Sequence, residues 1–192
     1  MPRKKKYNPD EVLRKAMHIF WKRGYDSTPV RLLEKELGIN QYSIYAEFSD
    51  KKELFVQSLR EYREYAAVTM YAGLLKEGTS TGKLEEFLYA YVESSVNDKE
   101  SKGCLVVNST AAIIMEDPDI KEELSRYYEF IKSMLAGILD NSVKAGDISP
   151  ETDIDEKSNY LLGVMQGLSV GVRILSLKQL NDIIKVAFST LQ

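Results

Sequence analysis

The stretch ELGINQYSIYAEFSDKKELF, residues Glu36 to Phe55, decides how this chain is read. A small hairpin of helices has to bury Leu37, Ile39, Ile44 and Phe48. It has no packing need for Gln41, Tyr42, Tyr45, Lys51 or Lys52. Polar and aromatic side chains in excess of what the core requires point to something outside the fold.

Helical signals run outward from this stretch in both directions. Asn8-Pro9-Asp10-Glu11 opens a first helix with a capping Asn, Pro at its first position and acids in its first turn. Val12, Leu13, Ala16, Ile19 and Phe20 then recur at helical spacing until Gly24. Thr28-Pro29 is expected to cap a second helix, with Val30, Leu33 and Leu37 as its apolar face, ended by Gly38. Asn40 starts a short third helix through Phe48, and Ser49 or Asp50 caps a long fourth over 51–75. Further helices are expected at 83–97, 104–116, 118–145, 153–175 and 177–191. The fold class is all-α with about nine helices: a three-helix unit joined by the long fourth helix to a larger bundle. The expected division is 1–50 and 51–192.

Composition narrows the partner. Hydrophobic residues make up 44% of the 192, which suits a packed globular protein. No apolar run reaches the roughly 18 residues of a membrane span. The basic start, MPRKKKYNPDE, lacks the apolar segment of a secretory signal. The lone Cys104 excludes an internal disulfide and a cysteine-based zinc site, and a cytoplasmic protein is expected. The net charge of −3 hides an asymmetry. Residues 1–60 hold 13 Lys and Arg against 8 Asp and Glu, whereas 61–192 hold 13 against 21. A basic third on an acidic body suggests that one end faces a polyanion.

Helix, glycine corner, helix is the layout of a helix-turn-helix, whose second helix presents its leading turn to a major groove. Asn40, Gln41, Tyr42 and Ser43 place four hydrogen-bonding side chains on that turn. Gln suits the adenine edge, and Tyr combines a hydroxyl with apolar contact to a thymine methyl. Thr28, as a cap, would leave the positive end of the second helix to a phosphate. Lys51 and Lys52 oppose the dipole of the helix they open, which a nearby phosphate would explain. Arg3, Lys4, Lys5 and Lys6 form a basic arm suited to the DNA backbone or a minor groove.

From Val12 to Leu54 the chain resembles the DNA-binding domain of TetR-type transcriptional regulators. The resemblance rests on Ala16, Phe20, Gly24-Tyr25, Thr28, Val30, Leu33, Gly38-Ile39, Ser43-Ile44-Tyr45, Phe48, Lys51 and Leu54. It implies that the third helix reads bases, that Tyr45 contacts a phosphate, and that Lys51 or Lys52 anchors the backbone of double-stranded operator DNA. Three positions depart from the family pattern: Glu34 where a small residue is usual, Tyr42 where Gly is frequent, and Ala46 where an aromatic or His is common.

The body is rich in tyrosine and methionine, which suits a mostly apolar pocket with a few polar groups. The resemblance implies such a pocket for a small hydrophobic or amphipathic effector, and the candidate lining is Tyr65, Tyr89, Cys104, Asn108, Tyr127, Met134, Met165 and Gln166. In the eighth helix Gly163, Gly167 and Gly171 recur every four residues, allowing close helix approach. With Leu161, Leu168, Leu175, Ile183, Ile184 and Ala187 they form the expected interface of a homodimer with two-fold symmetry.

The expected function is a sequence-specific DNA-binding regulator, a repressor released by its ligand. One alternative is an electrophile- or redox-sensing regulator acting through Cys104, at the start of the sixth helix where a thiol pKa falls. Another is a ligand-binding protein that no longer binds DNA. No nucleophile–base pair, metal spacing or phosphate loop is legible, so neither enzyme activity nor a cofactor or metal is expected. His18 has no partner at metal-ligand spacing, and Trp21 is expected in the core.

Overall fold

A computed structural model describes residues 7–98, 103–110 and 116–191. Among them are nine α-helices: α1 (Pro9–Arg23), α2 (Val30–Leu37), α3 (Gln41–Phe48), α4 (Lys51–Tyr65), α5 (Thr81–Asn97), α6 (Leu105–Thr110), α7 (Pro118–Ala145), α8 (Ile154–Gly171) and α9 (Leu177–Ser189). The chain divides into two compact units, Met1–Tyr65 with Cys104–Leu124, and Ala66–Gly103 with Ser125–Gln192.

The first unit forms around α1. Asn8 accepts the Asp10 N–H at 3.0 Å, and Gly24, at φ 77°, ends the helix by donating to the Phe20 carbonyl at 2.7 Å. Val12, Ala16, Met17 and Phe20 are buried together with Leu33, Ile44, Phe48 and Leu54. The Phe20 ring meets Phe55 edge-on at 5.0 Å, so Phe20→Ala would cost about 3–5 kcal/mol. Trp21 lies outside this core. It is half-buried, with its ring edge-on to Tyr62 at 4.9 Å.

Between α3 and α4 the chain turns within one residue. Asp50 donates its N–H to the Phe48 carbonyl at 2.7 Å across Ser49, which is held at φ 64°, ψ −56°. That is the strained form of γ-turn, rare outside glycine. Asp50 then caps α4 through the Glu53 N–H at 2.7 Å.

Ion pairs join α4 to the beginning of α7 inside this unit. Lys52 reaches Asp119 at 2.7 Å and Asp117 at 3.4 Å. Glu123, buried, receives Arg60 at 2.8 Å and Arg63 at 3.4 Å. The pairing with Glu123 raises the Arg60 pKa. One α4 face thus carries three cations, each matched to a carboxylate of the segment 117–123.

The long fourth helix expected over 51–75 does not form as one element. α4 ends at Tyr65, and a π-helical turn, Ala66–Met70, follows. Tyr71 donates to the Ala66 carbonyl five residues back, at 2.8 Å. The physical reason is register. A continuous α-helix would follow buried Ala66 with Thr69 or Met70 on the same face, whereas a spacing of five brings Tyr71 inward and leaves Val68 at 71% exposure. Loop turns then lead to α5.

In the second unit α5 packs on α9, and α9 on α8. α5 buries Leu84, Leu88 and Val92, and the Thr81 N–H at its start donates to the Ser142 hydroxyl at 2.8 Å. Asp153 caps α8, and Ser176 with Gln179 forms a reciprocal capping box on α9. α8 stops at Gly171 instead of 175, because its last turn tightens: Ile174 donates to the Gly171 carbonyl three residues back, at 2.9 Å. The sixth helix is described only from Leu105 to Thr110, short of the expected 116. Residues 111–115 lie outside the described residues.

Candidate nucleic-acid interface

Two short helices, each anchored by two buried apolar residues, produce the presenting geometry. Leu33 and Leu37 on α2, and Ile44 and Phe48 on α3, are buried. Gly38, at φ 72°, ψ 20°, turns the chain between them in the left-handed conformation that Cβ-bearing residues resist. With Ile44 and Phe48 fixed inward, the pitch of α3 turns Tyr42 and Ala46 outward, while Gln41 is exposed as the first residue of the helix. Asn40 and Gln41 are exposed, and Tyr42 is 83% exposed, the largest value among the exposed large hydrophobic side chains. Ser43 and Tyr45 are half-buried.

Hydrogen bonds brace this turn. Asn40 accepts the Ser43 N–H at 2.8 Å, so its carbonyl oxygen is committed and its –NH2 remains for an outside acceptor. Glu34 reaches across from α2 and accepts the Gln41 N–H at 2.6 Å. Tyr7 donates to the Ser43 carbonyl at 3.3 Å, with its hydroxyl 3.4 Å from the Glu47 carboxylate. Tyr7 therefore pins the segment just after the basic arm to α3. Sequence reasoning missed this, and the only signal was an aromatic between a basic run and a helix cap. Arg3, Lys4, Lys5 and Lys6 themselves lie outside the described residues.

The expected cap at Thr28 is corrected. Its side chain is fully buried and its hydroxyl donates to the Gly24 carbonyl at 2.7 Å. The N-cap of α2 is Pro29, without any side-chain bond. Proline carries no hydroxyl to offer, so among the described residues no side-chain cap closes the N-terminal turn of α2. Any phosphate held there would meet backbone amides rather than the threonine hydroxyl.

The lysines opening α4 have internal partners as well. Lys51 lies 4.0 Å above the Tyr25 ring, and burial lowers its pKa against the opposing pull of Asp26. Lys52 has its pKa raised, first by its hydrogen bond to Asp119. The unfavourable placement at a helix N-terminus is thus offset inside the protein before any DNA is considered.

The expected pocket residues fall on both units. Tyr65, Cys104 and Asn108 belong to the first; Tyr89, Tyr127, Met134, Met165 and Gln166 belong to the second. Tyr65 lies edge-on to the Trp21 ring at 6.0 Å. Cys104 is 8% exposed, and its carbonyl accepts the Asn108 N–H at 2.9 Å. Tyr127 and Met134 are buried on α7, and the Tyr127 hydroxyl is 3.3 Å from that of Tyr71. Tyr89, Met165 and Gln166 are half-buried. Two clefts in the second unit, of about 320 and 290 Å3, are lined by none of these side chains.

The expected dimer residues divide sharply. Leu161, Leu168, Gly171, Ile184 and Ala187 are buried within the chain and cannot meet a second copy, which corrects that part of the set. A Cβ at Gly171 would come within 3.0 Å of Leu180 and 3.1 Å of Leu175, so this glycine serves contact with its own neighbours. Gly163, Gly167 and Ile183 are exposed, and Leu175 is half-buried. The exposed apolar face is instead Tyr160, Val170, Ile174, Ile183 and Val186, with Ile174 at 80% and Val186 at 60%.

Two family models match the chain: bacterial regulatory proteins of the tetR family over residues 12–57, and the tetracyclin repressor-like C-terminal domain over residues 80–187. The chain belongs to the TetR family and is a DNA-binding transcriptional regulator. The HTH-type transcriptional repressor ComR of Escherichia coli (strain K12) is 27% identical over 191 residues, covering 99% of this chain and 90% of ComR. The uncharacterized HTH-type regulator YezE of Bacillus subtilis (strain 168) is 26% identical, with both chains fully covered. The fold matches that of the TetR family regulator CifR, solved as a cysteine mutant with 26-bp operator DNA. Its TM-score is 0.84 at 24% identity, covering 99% of this chain and 100% of CifR.

Proposed function

We propose that the chain acts as a homodimeric, cytoplasmic repressor that reads its operator with α3 and leaves it when a small hydrophobic or amphipathic effector binds the body. Residues 1–50 serve as the reading head and 51–192 as the effector and dimer part. The observation that carries the reading is the outward display of Gln41 and Tyr42 on a helix anchored by Ile44 and Phe48. A large aromatic left in water costs free energy with no return inside the fold, and base contact gives it a use. Tyr45, half-buried, and Lys51 flank it as phosphate contacts. Lys52 does so when it exchanges a carboxylate for a phosphate. The amides opening α2, next to Thr28, provide a further anchor. Asn40 and Ser43 border the reading turn. The basic run Arg3, Lys4, Lys5 and Lys6 directly precedes Tyr7 in the sequence and is a further candidate for contact with the DNA backbone.

Repression is supported by the name of the relative ComR, and DNA binding by the operator complex of CifR. Dimerisation is supported by the exposed apolar face: Tyr160, Gly163, Gly167 and Val170 follow helical spacing along one side of α8, with Ile174 just past its end and Ile183 and Val186 on α9. For the effector, buried Tyr127 with its hydroxyl partner Tyr71, near Met134 in sequence, offers polar and adaptable contacts. Tyr89, Met165, Gln166, Tyr65, Cys104 and Asn108 complete the candidate set.

The test is selection of duplexes bound by the purified chain, then titration of Tyr42→Ala against the selected and a scrambled duplex. Loss of preference larger than loss of scrambled-duplex affinity supports base reading, and equal losses contradict it. Operator affinity also has to fall steeply with salt, because phosphate contacts release counterions.

A further inference from the structure

The geometry points to Glu34 as a residue that positions the recognition helix and sharpens its preference for bases over phosphates. The inference rests on α3 being the reading helix.

Three observations converge. First, the Glu34 carboxylate accepts the Gln41 N–H at 2.6 Å, a contact between α2 and the leading residue of α3. A charged acceptor on a backbone N–H makes a short, strong hydrogen bond. Second, Asn40 occupies the Ser43 N–H at 2.8 Å, so two of the amides that open α3 already have acceptors from the protein. Third, α2 is built the opposite way, with Pro29 at its N-cap and no side-chain bond.

A helix N-terminus attracts anions through its free N–H groups and its partial positive charge. In α2 that end stays open. In α3 it is closed by a carboxylate, which complements the dipole and repels a phosphate approaching the same spot. The effect separates two tasks within one head. The backbone of DNA is attracted to the start of α2 and away from the start of α3, leaving Gln41 and Tyr42 to base edges. The bond also fixes the angle between the helices, because it spans the corner at Gly38 from the last turn of α2. Small residues at position 34 could do neither.

Glu34→Gln and Glu34→Ala in the full chain separate the two effects. Glutamine keeps an acceptor for the Gln41 N–H and removes the charge; alanine removes both. Affinity for the selected operator and for a scrambled duplex of equal length is measured across a potassium chloride series. For Glu34→Gln, scrambled-duplex affinity is expected to rise about three- to tenfold at low salt, with a logarithmic salt slope steeper by roughly one. The operator-to-scrambled ratio falls accordingly. For Glu34→Ala, operator affinity drops in addition, about tenfold, and restoring the acceptor in Glu34→Gln rescues that part. A salt slope and ratio unchanged in Glu34→Gln would overturn the inference, and this variant remains informative even where alanine impairs folding. A wild-type chain with no operator preference would instead overturn the reading of α3 itself, so the two failures are distinct.

Discussion

The Lys52 ammonium donates to the Asp119 carboxylate at 2.7 Å, with the Asp117 carboxylate 3.4 Å away. A lysine proposed to meet DNA is therefore held by two carboxylates of its own chain, and a phosphate would have to displace them. Neutralising both in Asp117→Asn/Asp119→Asn should tighten scrambled-duplex binding at low salt and steepen the salt slope by roughly one, read by fluorescence anisotropy. Unchanged binding would show that Lys52 never faces a phosphate.

The same pair makes a prediction for pH. The Lys52 pKa is raised, first by its bond to Asp119, so its share of stability is full below the ordinary lysine value and is lost as pH climbs through the raised one. Burial pushes the Asp117 pKa up, but the Ile120 N–H, Lys52 and the Asp119 N–H pull harder and leave it lowered. Its share is present above the ordinary aspartate value and lost as pH falls through the lowered one. The link thus holds from about pH 4 to 10. Melting followed with pH should show the difference between wild type and Lys52→Ala persisting across that window and closing below it; a constant difference down to pH 2 contradicts the pairing.

Ser49, at φ 64°, ψ −56°, carries backbone strain at the joint of α3 and α4. Glycine adopts that conformation freely, so Ser49→Gly should stabilise the protein by about 1 kcal/mol and raise Tm by roughly 2–4 °C. A lowered Tm would place the strain elsewhere.

Ile174 is 80% exposed on the face assigned to a second copy. Replacing it by a charge, Ile174→Glu, should convert a species of twice the 21.9 kDa chain mass into a single chain in sedimentation velocity. Operator affinity would then fall about a hundredfold through lost bivalency. A variant that stays dimeric removes the turn carrying Ile174, just past α8, from the interface.

Cys104 is 8% exposed, the burial of a small hydrophobe more than of a sensor. Its reaction with a disulfide reagent at neutral pH should be slower than that of free cysteine and should match it after denaturation. A faster reaction in the folded protein would revive the sensing alternative.

Local chemistry made much of this legible in the sequence. Asn8-Pro9, Gly24, Gly38 and Asn40 mark helix ends through interactions spanning a few residues, and those boundaries agree with the structure to within about one residue. The outward display of Tyr42 follows from helical pitch once Ile44 and Phe48 are buried, and that of Gln41 from its place at the start of the helix. Thr28 was misread because a threonine before a helix resembles a cap whichever way its hydroxyl turns, and only the fold directs it to Gly24. Register across a π-helical turn, the division of α8 between inward and outward leucines and glycines, and the reach of Glu34 to Gln41 all depend on which neighbour lies opposite. That is long-range information, set when helices distant in sequence settle against each other. Sequence determines where a helix is capped and which of its residues are apolar; tertiary packing decides how far α4 and α8 run and which of their apolar residues remain for a partner.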